Sequence, residues 1–207
     1  MKKYLCLVMA ALLVLISMNA MAEEPAVGTE RAFDRSVFEG LDEYSEDKFD
    51  KTWSCTLIVR NPLEDLTLGM QIQGSLADSN IDPIMFWAGS ADNAEGSEKI
   101  QALIGETVYS FDLSKMQELF DAGAIFFSDN NSSFFEAIAN AEEVSFRVTV
   151  DGVNYDADFS SNDEEFSKIQ LALQEIIRQG GTECYSASGA DTIATVENYQ
   201  CQVMTVD

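Results

Sequence analysis

The pattern around Asp151-Gly152 constrains the fold of this chain more than any other stretch. Asp-Gly is a strong signal for a two-residue hairpin loop, because a type I′ turn needs positive φ at both central positions. A turn placed there pairs Val150 with Val153, Val148 with Tyr155, Phe146 with Ala157 and Val144 with Phe159, all apolar. The other face then pairs Thr149 with Asn154, Arg147 with Asp156 and Ser145 with Asp158. One register sorts every residue and sets a guanidinium opposite a carboxylate, a cross-strand pair worth about 0.2–1 kcal/mol. Asp163, Glu164 and Glu165 fall in the first turn of the helix expected next, where the helix dipole favours negative charge.

That helix is the clearest in the chain. Asn162 is the expected N-cap, Glu165 answers it three residues on, and Gly180-Gly181 is the stop. Phe166, Ile169, Leu173, Ile176 and Ile177 form one apolar stripe. Two shorter helices are expected earlier, one opened by Ser114 with Gln117 and closed by Gly123. The other is opened by Ser133 with Glu136 and buries Phe134, Phe135 and Ile138. Period-two alternation predicts strands in which Trp53, Cys55, Leu57 and Val59 share one face, ended by Asn61-Pro62, and in which Leu68, Met70 and Ile72 share another. Ile84–Ala88 reads as a short buried strand, 92–96 as a turn, and 100–112 as further strand with a turn at Gly105. The fold class is therefore α+β: an antiparallel β-sheet, either a sandwich or one curved sheet, with two to four short helices packed on it.

The first residues fall outside that pattern. Lys2 and Lys3 precede a nearly continuous apolar run to Met18, and Ala20-Met21-Ala22 has the small-x-small form of a cleavage site. Residues 1–22 are expected to be a secretory signal peptide of bacterial proportions, with Glu23 the mature N-terminus. The expected address is the periplasm, with secretion as the alternative. Residues 23–51 read as an acidic leader holding at most one short helix over Phe33, Val37, Phe38 and Leu41. Residues 52–181 read as the core domain and 182–207 as a disulfide-stapled tail.

The chain carries 36 acidic and 12 basic residues, a net charge of −24. The leading segment holds two lysines and no acid, so its removal takes the charge to −26. Such a charge repels nucleic acid and anionic membrane surfaces and favours cationic partners or divalent ions. Solubility alone is an equally good explanation of it. Neither nucleic acid nor, after cleavage, membrane is expected as a partner.

Cys55, Cys184 and Cys201 remain after cleavage, and in an oxidising compartment two are expected to pair. The Gly/Ser/Thr-rich surroundings of Cys184 and Cys201 favour that bridge, with a pair between Cys55 and either of them as the alternative, since spacing alone does not fix connectivity. Cys55, in an apolar strand, reads as a small buried hydrophobe.

The chain has no histidine. That excludes Ser-His-Asp and Cys-His catalysis and His-ligated zinc, and no GxSxG, Walker A, GxGxxG or CxxC motif is present. Ser45-Glu46-Asp47-Lys48 matches SxxK by letters only. Asn154, Asp156, Asp158, Ser160, Asn162 and Glu165 follow the spacing of an EF-hand loop, so Asp156, Asp158 and Glu165 are the candidate metal ligands. Asn at the first position and Phe159 where glycine belongs argue against that assignment. Phe86, Trp87, Phe126 and Phe127 are available to line a cleft, although apolar runs of this kind more often form cores. No catalytic residue or cofactor is assigned. The leading expectation is a non-enzymatic acidic protein that binds a basic protein partner, as an inhibitor or immunity-type protein would. A carboxylate-dependent envelope hydrolase and a divalent-cation or small-ligand binder are the alternatives.

Overall fold

Alternation of apolar and polar residues becomes two five-stranded antiparallel sheets. The structure, a computed structural model, describes residues 33–41, 43–61, 65–77, 80–90, 97–114, 123–186 and 202–205, all within the compact unit Arg31–Asp207. The first sheet has the order β1-β2-β3-β4-β7, formed by Tyr44–Asp47, Thr52–Asn61, Leu66–Ser75, Met85–Ser90 and Ala124–Phe126. The second has the order β10-β6-β5-β8-β9, formed by Gln202–Thr205, Thr107–Asp112, Ser97–Ile104, Glu143–Val150 and Val153–Ser160. Two α-helices, α1 (Ser132–Asn140) and α2 (Glu164–Gln179), complete the regular elements among the described residues. The molecule is α+β and mostly sheet.

Trp53, Cys55, Leu57 and Val59 are buried on β2 as the alternation predicts, and Leu68, Met70 and Ile72 on β3. Gly69 also has a packing reason. A Cβ there would lie 2.1 Å from the Trp87 ring, which crosses the strand at that point. On α1, Phe134 reaches Phe86 of the first sheet at 6.0 Å and Phe111 of the second at 4.8 Å. Phe86 and Phe146 stack directly at 6.0 Å. The aromatic core is thus shared by both sheets and the helix. Of the expected α2 stripe, Phe166, Ile169, Leu173 and Ile176 are buried and Ile177 is half-buried, and the helix packs against β2 and β9. Two glutamines of α2 donate to backbone carbonyls at the end of α1. Gln170 Nε2 donates to the carbonyls of Ile138 and Ala141 at 2.8 Å each, and Gln174 Nε2 to that of Ala139 at 2.6 Å. Helix-terminal carbonyls need such partners when buried.

The hairpin register agrees pair for pair, from Val150↔Val153 to Val144↔Phe159. Asp151 and Gly152 have φ of 50° and 75°, as a type I′ turn requires. The helix caps differ from those expected. β9 runs to Ser160, and the Asp163 carboxylate turns back to accept from the Ser160 amide at 2.9 Å. That moves the start of α2 one residue on, so Asp163 rather than Asn162 is the N-cap residue, and Asn162 donates to Ser160 Oγ. For α1, a 3-10 turn at Asp129–Asn131 comes first. Asn131 accepts from the Ser128 amide and donates to the Phe126 carbonyl, both at 2.8 Å, which leaves Ser133 inside the helix.

Residues on both sides of 52–181 also enter the structure. Phe33 and Phe38 flank a 3-10 turn at Arg35–Val37 and stack with Trp53 at 6.2 and 6.3 Å. Tyr44–Asp47, charged and without an apolar alternation, nevertheless pairs with β2 as β1. Tyr185 is buried, donating its hydroxyl proton to the Phe127 carbonyl at 2.9 Å and accepting from the Ile84 amide at 3.2 Å. Gln202–Thr205 closes the far edge of the second sheet. The expected signal peptide, the turn at 92–96, most of the helix opened by Ser114, and Cys201 lie outside the described residues.

Candidate functional site: the outer face of the second sheet

The hairpin strands β8 and β9 put Val144, Phe146 and Val148 into the core, so Ser145, Arg147 and Thr149 must face outward. Their cross-strand partners on that face are Asp158, Asp156 and Asn154. Arg147 grips Asp156 with both ends of its fork, Nε to Oδ1 at 2.7 Å and a terminal nitrogen to Oδ2 at 2.8 Å. That hydrogen bonding holds the Asp156 carboxyl below its ordinary range and the guanidinium above its own. Both side chains are more than half exposed, so the pair contributes little to stability. Thr149 Oγ1 and Asn154 Oδ1 lie 2.9 Å apart beside it.

The three candidate metal ligands divide between two elements. Asp156 and Asp158 share the outer face of β9, and Asp156 is committed to Arg147. Glu165 sits in the first turn of α2, where its carboxylate accepts from Lys168 Nζ at 3.0 and 3.1 Å. The same ammonium reaches Glu43 at 3.3 Å, which ties α2 to the residue before β1. These hydrogen bonds, the one to Glu165 foremost, hold Lys168 above its ordinary value. Among the described residues, no group of three or more carboxylates or thiols is placed to hold a metal ion.

Cys184 is buried at the end of a 3-10 turn after α2, its sulfur 3.5 Å from the Gln179 carbonyl oxygen. Its expected partner Cys201 is outside the described residues. Cys55 is fully buried on β2 and, among the described residues, pairs with no other cysteine. Burial, reinforced by the Glu43 charge, pushes its thiol up to about 11, which keeps it protonated and unreactive. Of the aromatics available for a cleft, Phe86 and Phe127 belong to the core. Trp87 and Phe126 are half-buried on the other face of the first sheet.

Among the described residues, two shallow grooves border the outer face of the second sheet, the first where β5 ends and β8 begins and the second over the strands, and sequence reasoning did not find them. One, about 360 Å³, runs beside Leu103, Ile104 and Ala141 and is bordered by Glu142 and Glu143. The other, about 380 Å³, continues over Leu103, Val108 and Ser145 towards Arg147, Asp156 and Asp158. No helix among the described residues is long and apolar enough to cross a membrane. Comparison of the chain with family models, curated proteins and solved structures finds no match.

Proposed function

We propose that this protein acts by association: a non-enzymatic acidic binding protein, of the inhibitor or immunity type, that engages a basic protein partner. The observation that carries the reading is the uncompensated negative charge. The chain has three times as many acidic as basic residues, 36 against 12. Several of the few cations are already spent internally. Arg35 lies against Glu39, Arg147 against Asp156, Lys168 against Glu165 and Glu43, and Arg178 against Glu175. Most carboxylates are thereby left to shape the field around the molecule, and such a field speeds encounter with a cationic surface.

The same reading places the mature chain, from Glu23, in the periplasm or, alternatively, outside the cell, with Cys184 bridged to Cys201. It takes the two sheets as layers of a sandwich, supported by the Phe86–Phe146 stack between them. Intact-mass measurement of protein from a secreting host checks the N-terminus, and non-reducing peptide mapping checks the bridge. A peptide linking Cys55 to either partner would overturn it.

The decisive experiment for the function is capture of partners from the periplasm of the source cell at low salt. A basic protein eluted by raised salt is the expected result. Turnover of envelope glycans or peptides by the purified protein, abolished by one Asp or Glu substitution without unfolding, would replace association with carboxylate-dependent hydrolysis. Stabilisation by Ca²⁺ that Asp156→Asn or Asp158→Asn removes would restore the cation-binding alternative.

A further inference from the structure

In an antiparallel sheet, directly paired residues point to the same side. Met204 pairs with Val108, Val108 with Leu103, Leu103 with Ser145, and Ser145 with Asp158. The neighbours of Leu103 and Val108 along their strands, Ala102 and Tyr109, enter the core, so this row faces outward. It crosses all five strands of the second sheet, apolar at the β10 edge and acidic at the β9 edge. Met204 and Leu103 leave 52% and 39% of their surfaces exposed. The two grooves described above share Leu103 and Ser145, so they form one trough along the row.

The trough has an apolar floor and an acidic border. Leu103 and Val108 supply the floor, and Glu142, Glu143 and Asp158 border it on the side of β8 and β9. Neither Glu142 nor Glu143 forms an ion pair with a described residue. Arg147, the one cation lining the trough among the described residues, is held by Asp156 and so adds little positive charge to it. Lysine and arginine match this arrangement, because their methylene stems cover apolar surface while the charged head stays at the rim.

We infer that this trough is where the basic partner docks. Methylene stems of its lysine or arginine side chains lie on Leu103, Val108 and Met204, and their heads meet Glu142, Glu143 and Asp158. The inference rests on the association reading above and adds the surface and the side-chain chemistry to it. A purely electrostatic encounter would use any acidic region alike, including Glu46 and Asp47 on the β1 edge. The trough differs from that edge by setting the charge beside a row of apolar side chains on three neighbouring strands, Met204, Val108 and Leu103, whereas the β1 edge offers the exposed ring of Phe49 beside Asp47.

The test is an NMR titration of the full mature chain at low salt with the synthetic peptide Lys-Val-Lys-Val-Lys. Its glutamate counterpart, Glu-Val-Glu-Val-Glu, is the control. Amides of Leu103, Val108, Glu142, Glu143 and Ser145 are expected to shift first with the lysine peptide, and none with the control. The exposed pair substitution Glu142→Gln/Glu143→Gln is expected to weaken the lysine peptide about three- to tenfold. Glu46→Gln/Asp47→Asn should change it by less than about twofold. Equal weakening by both pairs, or shifts centred on β1, would overturn the trough while leaving association through the general field standing. Failure of the lysine peptide to bind at all would overturn the trough and remove charge attraction from the association reading as well.

Discussion

The β8–β9 hairpin and the segment from Phe33 to Asp47 are held in opposite ways. The hairpin closes on itself through near neighbours, with Arg147 and Asp156 nine positions apart across a two-residue turn. The N-terminal segment closes on the far end of the chain. Its Asp34 amide donates to Gln179 Oε1 at 2.6 Å, and the Asp34 carbonyl accepts from Gln179 Nε2 at 3.0 Å, across 145 positions. Phe33 and Phe38 lie nearly parallel at 6.0 Å, both stack with Trp53, and Tyr44 completes the group at 5.9 Å from that indole. The hairpin's visible ion pair is exposed and contributes little, whereas Phe33, Phe38 and Trp53 are buried and contribute much. The charged segment is therefore an energetic part of the domain despite its composition.

Substitutions should break that contrast in a definite order. Phe38→Ala removes a ring that is only 2% exposed and is expected to cost about 3 kcal/mol or more, read from the urea midpoint. A negligible cost would mean that the segment adds nothing to the packed unit. Gln179→Ala removes both hydrogen bonds to Asp34 and should cost about 1–2 kcal/mol. Combined with Phe33→Ala its effect should be less than additive, because both act on the same docked segment. Gly152→Val forces a β-branched residue to φ of 75° and is expected to cost about 1–2 kcal/mol.

Asp156→Asn should have the smallest effect, at most about 1 kcal/mol at neutral pH. Arg147 lowers the folded pKa of Asp156 below its ordinary 3.8. The contribution of the pair is therefore complete above that value and disappears as pH falls through the folded pKa. Denaturation of the wild type and of Asp156→Asn should converge in that acid range. A difference that persisted there would place the effect outside the ion pair.

The same contrast explains what the sequence reveals. The hairpin register is legible because one turn dipeptide and two alternating runs determine it, all within Val144–Phe159. The faces of β2 and α2 are legible because Trp53 to Val59 and Phe166 to Ile176 keep period two and a helical stripe. β1 is hidden, since Ser45, Glu46 and Asp47 have no strand pattern and pair only because β2 offers a free edge. The cap of α2 is displaced because the Asp163 carboxylate finds the Ser160 amide, a local competition that the letters do not rank. The trough is hidden for a topological reason. Val108, Leu103 and Ser145 come side by side only when β6, β5 and β8 take neighbouring places in one sheet.

The central claim is that uncompensated negative charge drives association, and the rate of that association tests it most directly. With the captured partner, the on-rate should be followed as the ionic strength rises from about 0.1 M to 1 M, over which the Debye length falls from ~10 to ~3 Å. The account predicts a steep fall in the on-rate with little change in the off-rate. An on-rate indifferent to salt would contradict it.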